Sequence, residues 1–84
     1  ENYVGYRISA IGIASFEKGR AYIKDAENYR FYLFQLESWA PEVIGKNLLV
    51  TGTFAIEEIH GENNRIYKDK GFKEAAWEVL NAGN

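Results

Sequence analysis

The chain has 84 residues, of which 46% are hydrophobic and 15% aromatic, and it contains no Cys. This length predicts one domain, residues 1–84, stabilised by a single core, because neither a disulfide nor a cysteine-based metal site can form. The net charge of −2 argues against a general polyanion binder, since nonspecific nucleic-acid affinity needs clustered positive charge. No apolar run reaches the length of a membrane span.

The chain does not begin with Met, so its natural start either lies upstream or has been processed. It is therefore open to being a fragment of a longer protein. The lack of Cys is compatible with an oxidising compartment and does not establish one.

Residues 4–16 predict a first strand, because apolar and polar residues alternate from Val4 to Ala10. At Gly12 the large apolar residues change phase to Ile11 and Ile13. A glycine inside a strand marks a bulge or a bend. We therefore expect one long strand that bends at Gly12 and contributes to two parts of the core.

The next segment predicts a hairpin of two strands, residues 20–24 and 29–36, joined by a turn at residues 25–28. In the first of these strands, Ala21 and Ile23 share one phase. The second strand is apolar in both phases, so one face belongs to the core. Its other face is exposed, partly covered or a binding surface.

Residues 38–46 predict one short helical turn, with Pro41 at its start and Gly45 just past its end. Trp39 and Ile44 are expected to plug one end of the core. A fourth strand follows at residues 47–59, with Leu48 and Val50 facing inward and Gly52 at a bend. Residues 60–71 predict a polar loop.

The C-terminal segment, residues 72–82, fits either a helical stripe or strand alternation. The helical pattern leaves Trp77 off its apolar stripe. A strand would complete a sheet that otherwise has four strands and an open edge, so we favour a strand.

Together these elements predict an all-β fold: a five-stranded OB-like barrel, closed or partly open, with one short helical turn between strands 3 and 4. Gly12 and Gly52 would let strands bend sharply enough to close a small barrel. The alternatives are an SH3-like barrel, or four strands plus a C-terminal helix.

Short motifs also resemble small bacterial OB-fold-like domains of poorly characterised function. The matching stretches, which cover most of the chain, are "IGIAS", "SWAPE", "IGKN", "VTGTF" and "AAWEVL". The resemblance implies that these residues shape the barrel, and it identifies no substrate. Many domains of this kind are exported or belong to lipoproteins, so it favours an exported, periplasmic location.

Nothing in the sequence indicates catalysis. Ser9, Ser15 and Ser38 are the only serines and His60 is the only histidine, and no nucleophile motif surrounds any of the serines. The spacing of the acidic residues around His60 matches neither a zinc motif nor a calcium loop. These acidic residues are Glu57, Glu58 and Glu62. We therefore expect no enzyme activity, no catalytic residues, no bound metal and no cofactor.

The hairpin of strands 2 and 3 predicts a binding face. If Ala21 and Ile23 point into the barrel, the alternating residues of both strands share the outer face. The predicted ligand-binding residues are Arg20, Tyr22, Lys24, Arg30, Tyr32 and Phe34. Aromatic residues alternating with Arg and Lys are what OB domains use to bind ligands, and Tyr and Arg are enriched at protein interfaces. The alternative is a purely structural role, because cross-strand aromatic pairs also stabilise small sheets.

We therefore expect a non-catalytic interaction module that binds a protein or peptide. Single-stranded nucleic acid is a second possible ligand for the same face, although the net charge disfavours it. Oligosaccharide is a third, with Tyr22, Tyr32 or Trp39 stacking on sugar rings.

Overall fold

A computed structural model describes residues 3–80 of the chain and contains five strands. They are β1 (Arg7–Glu17), β2 (Arg20–Lys24), β3 (Arg30–Leu33), β4 (Asn47–His60) and β5 (Ile66–Val79). The strands pair in the closed order β1-β2-β3-β5-β4, and β4 returns to pair with β1. Only β3 and β5 are parallel neighbours. The predicted all-β, five-stranded barrel is confirmed.

The C-terminal segment is a strand, as favoured from its alternation, and the helical alternative is wrong. The strand begins earlier than predicted, because β4 and β5 remain paired out to His60 and Ile66. Residues 66–71 are therefore strand and not loop. Only a tight connection with a 3-10 turn, Glu62–Asn64, joins β4 to β5. Residues 81–82 of the predicted strand lie outside the described residues.

The helical turn predicted between β3 and β4 is replaced by consecutive tight turns. The Val43 amide donates to the Ala40 carbonyl (2.9 Å), and the Lys46 amide donates to the Val43 carbonyl (3.0 Å). The segment cannot continue as a helix because its end pairs with β1. There the Gly45 amide donates to the Ala14 carbonyl, and the Ala14 amide donates to the Lys46 carbonyl.

The core lies inside the barrel and takes side chains from all five strands and from the β3–β4 connection. Its buried members are Ala14, Ala21, Ile23, Leu33, Trp39, Leu48, Val50 and Phe72. Trp39 is buried in this core, as predicted, and its indole Nε1–H donates to the Ser15 carbonyl (2.8 Å). Ile44 does not share this role, because its side chain is exposed.

The predicted change of phase in β1 is wrong. Gly12 and Ala14 are both buried, whereas Ile11 and Ile13 are 55% and 45% exposed. The strand keeps one phase through Gly12, and its pairing passes from β4 to β2 at Ile13. A Cβ on Gly12 would lie 2.9 Å from the Lys24 carbonyl oxygen, so only glycine allows this close approach.

Gly52 faces a bulge in the neighbouring strand. Thr51 pairs with Ala76 and Thr53 pairs with Lys73, so β5 contains one extra residue opposite Gly52. A Cβ on Gly52 would lie 3.1 Å from the Cα of Ala75. Because residue 52 is a glycine, the bulged backbone of β5 can pack closely against it.

Candidate functional site on the outer face of β2 and β3

The structure brings most of the predicted binding residues together. Tyr22 pairs with Tyr32 and Lys24 pairs with Arg30, so these side chains share the face opposite the buried Ala21. Arg20 joins them by contact with the Tyr32 ring. The sixth predicted residue, Phe34, is half-buried and lies one position beyond the end of β3, where its amide donates to the Phe72 carbonyl (3.2 Å).

Arg20, Tyr22, Arg30 and Tyr32 form one stacked unit, here called the Arg–Tyr cluster. The centroids of the two tyrosine rings lie 5.5 Å apart. The Cζ atom of Arg20 lies 4.0 Å from the Tyr32 ring centroid, and that of Arg30 lies 4.5 Å from the Tyr22 ring centroid. Each ring is thus covered by one guanidinium group, which places two cations on the outside of the cluster.

Carboxylates from two other strands hold the arginines in place. Arg20 Nη1 lies 2.7 Å from Asp69 Oδ2 in a partly buried pair, and Arg30 Nη1 lies 3.3 Å from Glu17 Oε1 in an exposed pair. The Tyr32 side chain raises the pKa of Arg30, with smaller contributions in the same direction from Tyr22 and Glu17. These contacts orient both guanidinium groups before any ligand binds.

Asp69 was not among the predicted site residues, because its segment was assigned to a loop. The alternation of Asp69, Gly71 and Lys73 is the signal that could have placed it on the outer face. Its partner Arg20 lies 49 positions away in sequence. Only the order of the strands shows that the two side chains meet.

A cleft opens beside the Arg–Tyr cluster, where β3 and β5 diverge. Its volume is about 400 Å³, and it is lined by Arg30, Tyr32, Phe54, Ile56, Lys68, Asp69 and Lys70. This β3–β5 cleft has a partly apolar lining and cationic groups on three of its residues. Its volume falls within the range of roughly 300–1,000 Å³ that is typical of ligand pockets.

Two of the aromatic residues proposed to stack on sugars have no open ring face. Trp39 is 4% exposed and packs edge-on against Trp77, with the ring centroids 5.0 Å apart. Tyr22 is 7% exposed, beneath Arg30 and beside Tyr32. Tyr32 is half-buried, and Arg20 covers one of its faces.

Of the residues considered for catalysis and metal binding, Ser15 pairs with Tyr22 on this face, whereas Ser9, Ser38 and His60 lie elsewhere. The Ser9 hydroxyl is hydrogen-bonded to that of Thr51 (2.8 Å), and His60 is exposed at the end of β4. Ser38 lies in the irregular segment between β3 and β4. Within residues 3–80, no group of three or more His, Cys, Asp or Glu side chains could hold a metal ion.

The stacking in the Arg–Tyr cluster predicts a measurable coupling between Arg20 and Tyr32. In a double-mutant cycle with Arg20→Ala and Tyr32→Leu, we expect a coupling free energy of about 0.5–1 kcal/mol. Each single substitution already removes the cation–π contact, so the second substitution cannot remove it again. Urea denaturation of the four proteins measures this coupling free energy. Arg7→Ala combined with Tyr32→Leu is the control and should be additive. Additivity in the Arg20 cycle as well would contradict the stacking.

No protein-family model matches the chain, and comparisons with curated proteins and with solved structures find no match either. The resemblance to bacterial OB-fold-like domains thus stays a prediction from motifs. In the part of the chain that the structure describes, no helix has the length and apolar character needed to cross a membrane.

Proposed function

We propose that the domain is a non-catalytic binding module that recognises a protein or peptide through the outer face of β2 and β3. The observation that carries the proposal is the Arg–Tyr cluster, in which two arginines are fixed over two tyrosines. Arg and Tyr are the residues that most often dominate protein interfaces. Side chains that are already ordered lose little conformational entropy on binding.

The barrel type supports the same face. The closed strand order, with β5 between β3 and β4, agrees with an OB-type barrel, and OB domains bind ligands on the face of strands 2 and 3. This support is an analogy between folds.

The geometry favours a protein over single-stranded nucleic acid. Nucleic-acid-binding OB domains stack bases on open aromatic rings within a positively charged groove. Here the Tyr22 ring is covered, and the carboxylates of Glu17 and Asp69 lie among the cations. Those carboxylates would repel a phosphate backbone, whereas a protein surface can match both signs of charge.

The proposal predicts that charge reversal on this face weakens partner binding. The full chain would be used to capture partners from its source cells, and the affinity of the identified partner would then be measured by calorimetry. Lys24→Glu and Arg30→Glu should each weaken binding about tenfold or more, the effect expected of interface hot-spot residues. Lys46→Glu makes the same charge change on the exposed β3–β4 connection and should leave the affinity unchanged.

Circular dichroism would establish that all three variants remain folded. Unchanged affinity in the Lys24 and Arg30 variants would contradict the proposal. Binding of oligo(dT), or of a glycan on an array, by the wild-type chain and not by the Lys24 and Arg30 variants would replace it with one of the other ligand classes. For oligo(dT), the affinity should also fall steeply with salt.

A further inference from the structure

The β3–β5 cleft exposes an unpaired edge of β5. β3 pairs with β5 only through Tyr32 with Gly71 and Leu33 with Phe72. The Phe72 carbonyl faces β3, because it accepts a hydrogen bond from the Phe34 amide. Since β5 pairs with β4 in an antiparallel ladder, backbone groups alternate between its two sides, and those of Lys70 and Lys68 also face away from β4.

Among residues 3–80, no strand pairs with this side of β5 between Ile66 and Lys70. The Lys70 carbonyl already belongs to the parallel pairing of Tyr32 with Gly71, but the amides of Ile66, Lys68 and Lys70 and the carbonyls of Ile66 and Lys68 are available to a further extended chain. Adding a strand to an open sheet edge is a common way in which domains bind peptides.

The charged residues that line the cleft are predominantly positive. Lys68, Lys70 and Arg30 line the cleft, and Asp69 is the only carboxylate in its lining. Asp69 is already paired with Arg20 at 2.7 Å. Within the described residues, neither Lys68 nor Lys70 has a carboxylate oxygen within 4.0 Å. The cleft is thus locally cationic in a chain whose net charge is −2.

Part of this positive charge is held in place by neighbouring aromatic rings. Lys70 Nζ lies 4.6 Å from the Tyr29 ring centroid and 5.4 Å from that of Phe31. Phe54 and Ile56 add apolar surface to the same cleft. A ligand with carboxylates near the lysines and apolar groups beside them would match this lining.

We propose that the β3–β5 cleft binds an extended acidic segment of a protein partner, which adds to the edge of β5 along Ile66–Lys70. This inference rests on the proposed function and specifies its ligand. Lys68 and Lys70 point to the same side of β5, so their partners on an added strand are also two positions apart. The partner segment therefore carries Asp or Glu at alternate positions.

A nucleic-acid ligand is disfavoured because it would leave the edge unused. A sugar–phosphate backbone does not supply the regular amide and carbonyl groups of a strand, whereas a peptide satisfies the edge and the lysines together. The geometry of the cleft thus favours the acidic peptide.

Synthetic peptides and the full chain test this inference directly. One peptide has Glu at alternate positions with Val or Thr between, and a second has the same composition with its Glu residues consecutive. We expect the alternating peptide to bind at least tenfold more tightly in fluorescence anisotropy. The double variant Lys68→Glu/Lys70→Glu should weaken that binding at least tenfold, and Lys46→Glu should not. Equal affinity for the two peptides, no binding, or tighter binding of oligo(dT) would overturn the inference.

Hydrogen exchange distinguishes strand addition from general charge attraction. The alternating peptide should slow exchange of the backbone amides of Ile66, Lys68 and Lys70, because these groups gain ladder hydrogen bonds. Unchanged exchange rates under saturating peptide would contradict the strand geometry.

Lys24→Glu separates this inference from the proposed function, because Lys24 lies on the outer face but does not line the cleft. If the natural partner is lost with Lys24→Glu and retained with Lys68→Glu/Lys70→Glu, the cleft inference is wrong and the binding module stands. If neither variant changes partner binding, both are wrong.

Discussion

Gly71→Ala is expected to destabilise the domain by about 3 kcal/mol or more, because the new methyl group would overlap the backbone of the neighbouring strand. A Cβ on Gly71 would collide with the Tyr32 carbonyl oxygen and lie 2.6 Å from the Tyr32 nitrogen. Tyr32 and Gly71 form one of only two residue pairs that join β3 to β5. The substitution therefore acts on the shortest strand pairing of the barrel.

Backbone atoms in the β3–β5 pairing cannot rotate away as a side chain can. Relief requires β3 and β5 to separate, which would open the barrel and expose core residues such as Leu33 and Phe72. A loss of this size should lower the melting temperature by more than roughly 10 °C in a domain of this length.

Gly61→Ala is the matched control for Gly71→Ala. Its Cβ would lie 2.8 Å from Cε2 of Tyr67, an exposed ring that can turn aside. The expected change in unfolding free energy is within about 0.5 kcal/mol. Thermal and urea denaturation followed by circular dichroism measure both variants. Equal stability losses for the two would show that the β3–β5 contact does not limit barrel stability.

Trp39→Ala is expected to cost about 3–5 kcal/mol, because it leaves a large cavity in the core. The indole is 4% exposed and donates to the Ser15 carbonyl at 2.8 Å. Trp39→Phe should keep much of the packing and lose the hydrogen bond, at a cost of about 1–2 kcal/mol.

Trp77→Ala is the comparison for Trp39→Ala, because the two rings are in contact but Trp77 is 40% exposed. Since less buried surface is lost, we expect a cost of roughly 1 kcal/mol. Urea denaturation gives the three unfolding free energies. A loss for Trp77→Ala as large as that for Trp39→Ala would contradict the assignment of Trp39 as the ring that the core depends on.

Much of the fold could be predicted from alternation along the chain. In β2, Ala21 and Ile23 are buried, as the alternation of residues predicted. The C-terminal strand followed from the need to complete the sheet. Alternation failed for Ile11 and Ile13, because two apolar residues on the solvent face of β1 look the same in sequence as two core residues.

The candidate site was only partly predictable. The hairpin of β2 and β3 identified an outer face with Tyr22, Lys24 and Tyr32, and their shared face follows from strand pairing. The cover over the Tyr22 ring, the ion pair with Asp69 and the β3–β5 cleft could not be predicted. The cover over Tyr22 depends on how the Arg30 and Tyr32 side chains pack across the hairpin. The ion pair and the cleft depend on which strand lies beside β3, and that strand is β5, far along the chain.

The sequence by itself determined the class of the fold, the number of strands and the face to which the hairpin residues belong, because side-chain direction along a strand follows from local backbone geometry. The tertiary structure decided which of those outer residues are covered, where Arg20 finds its carboxylate and where β5 presents an open edge. These features depend on strand order and register, which are set only when the barrel closes around its core. Gly71 shows the difference most clearly: in the sequence it is one glycine in a polar stretch, and in the barrel it is a position where a side chain would overlap the backbone of Tyr32 in β3.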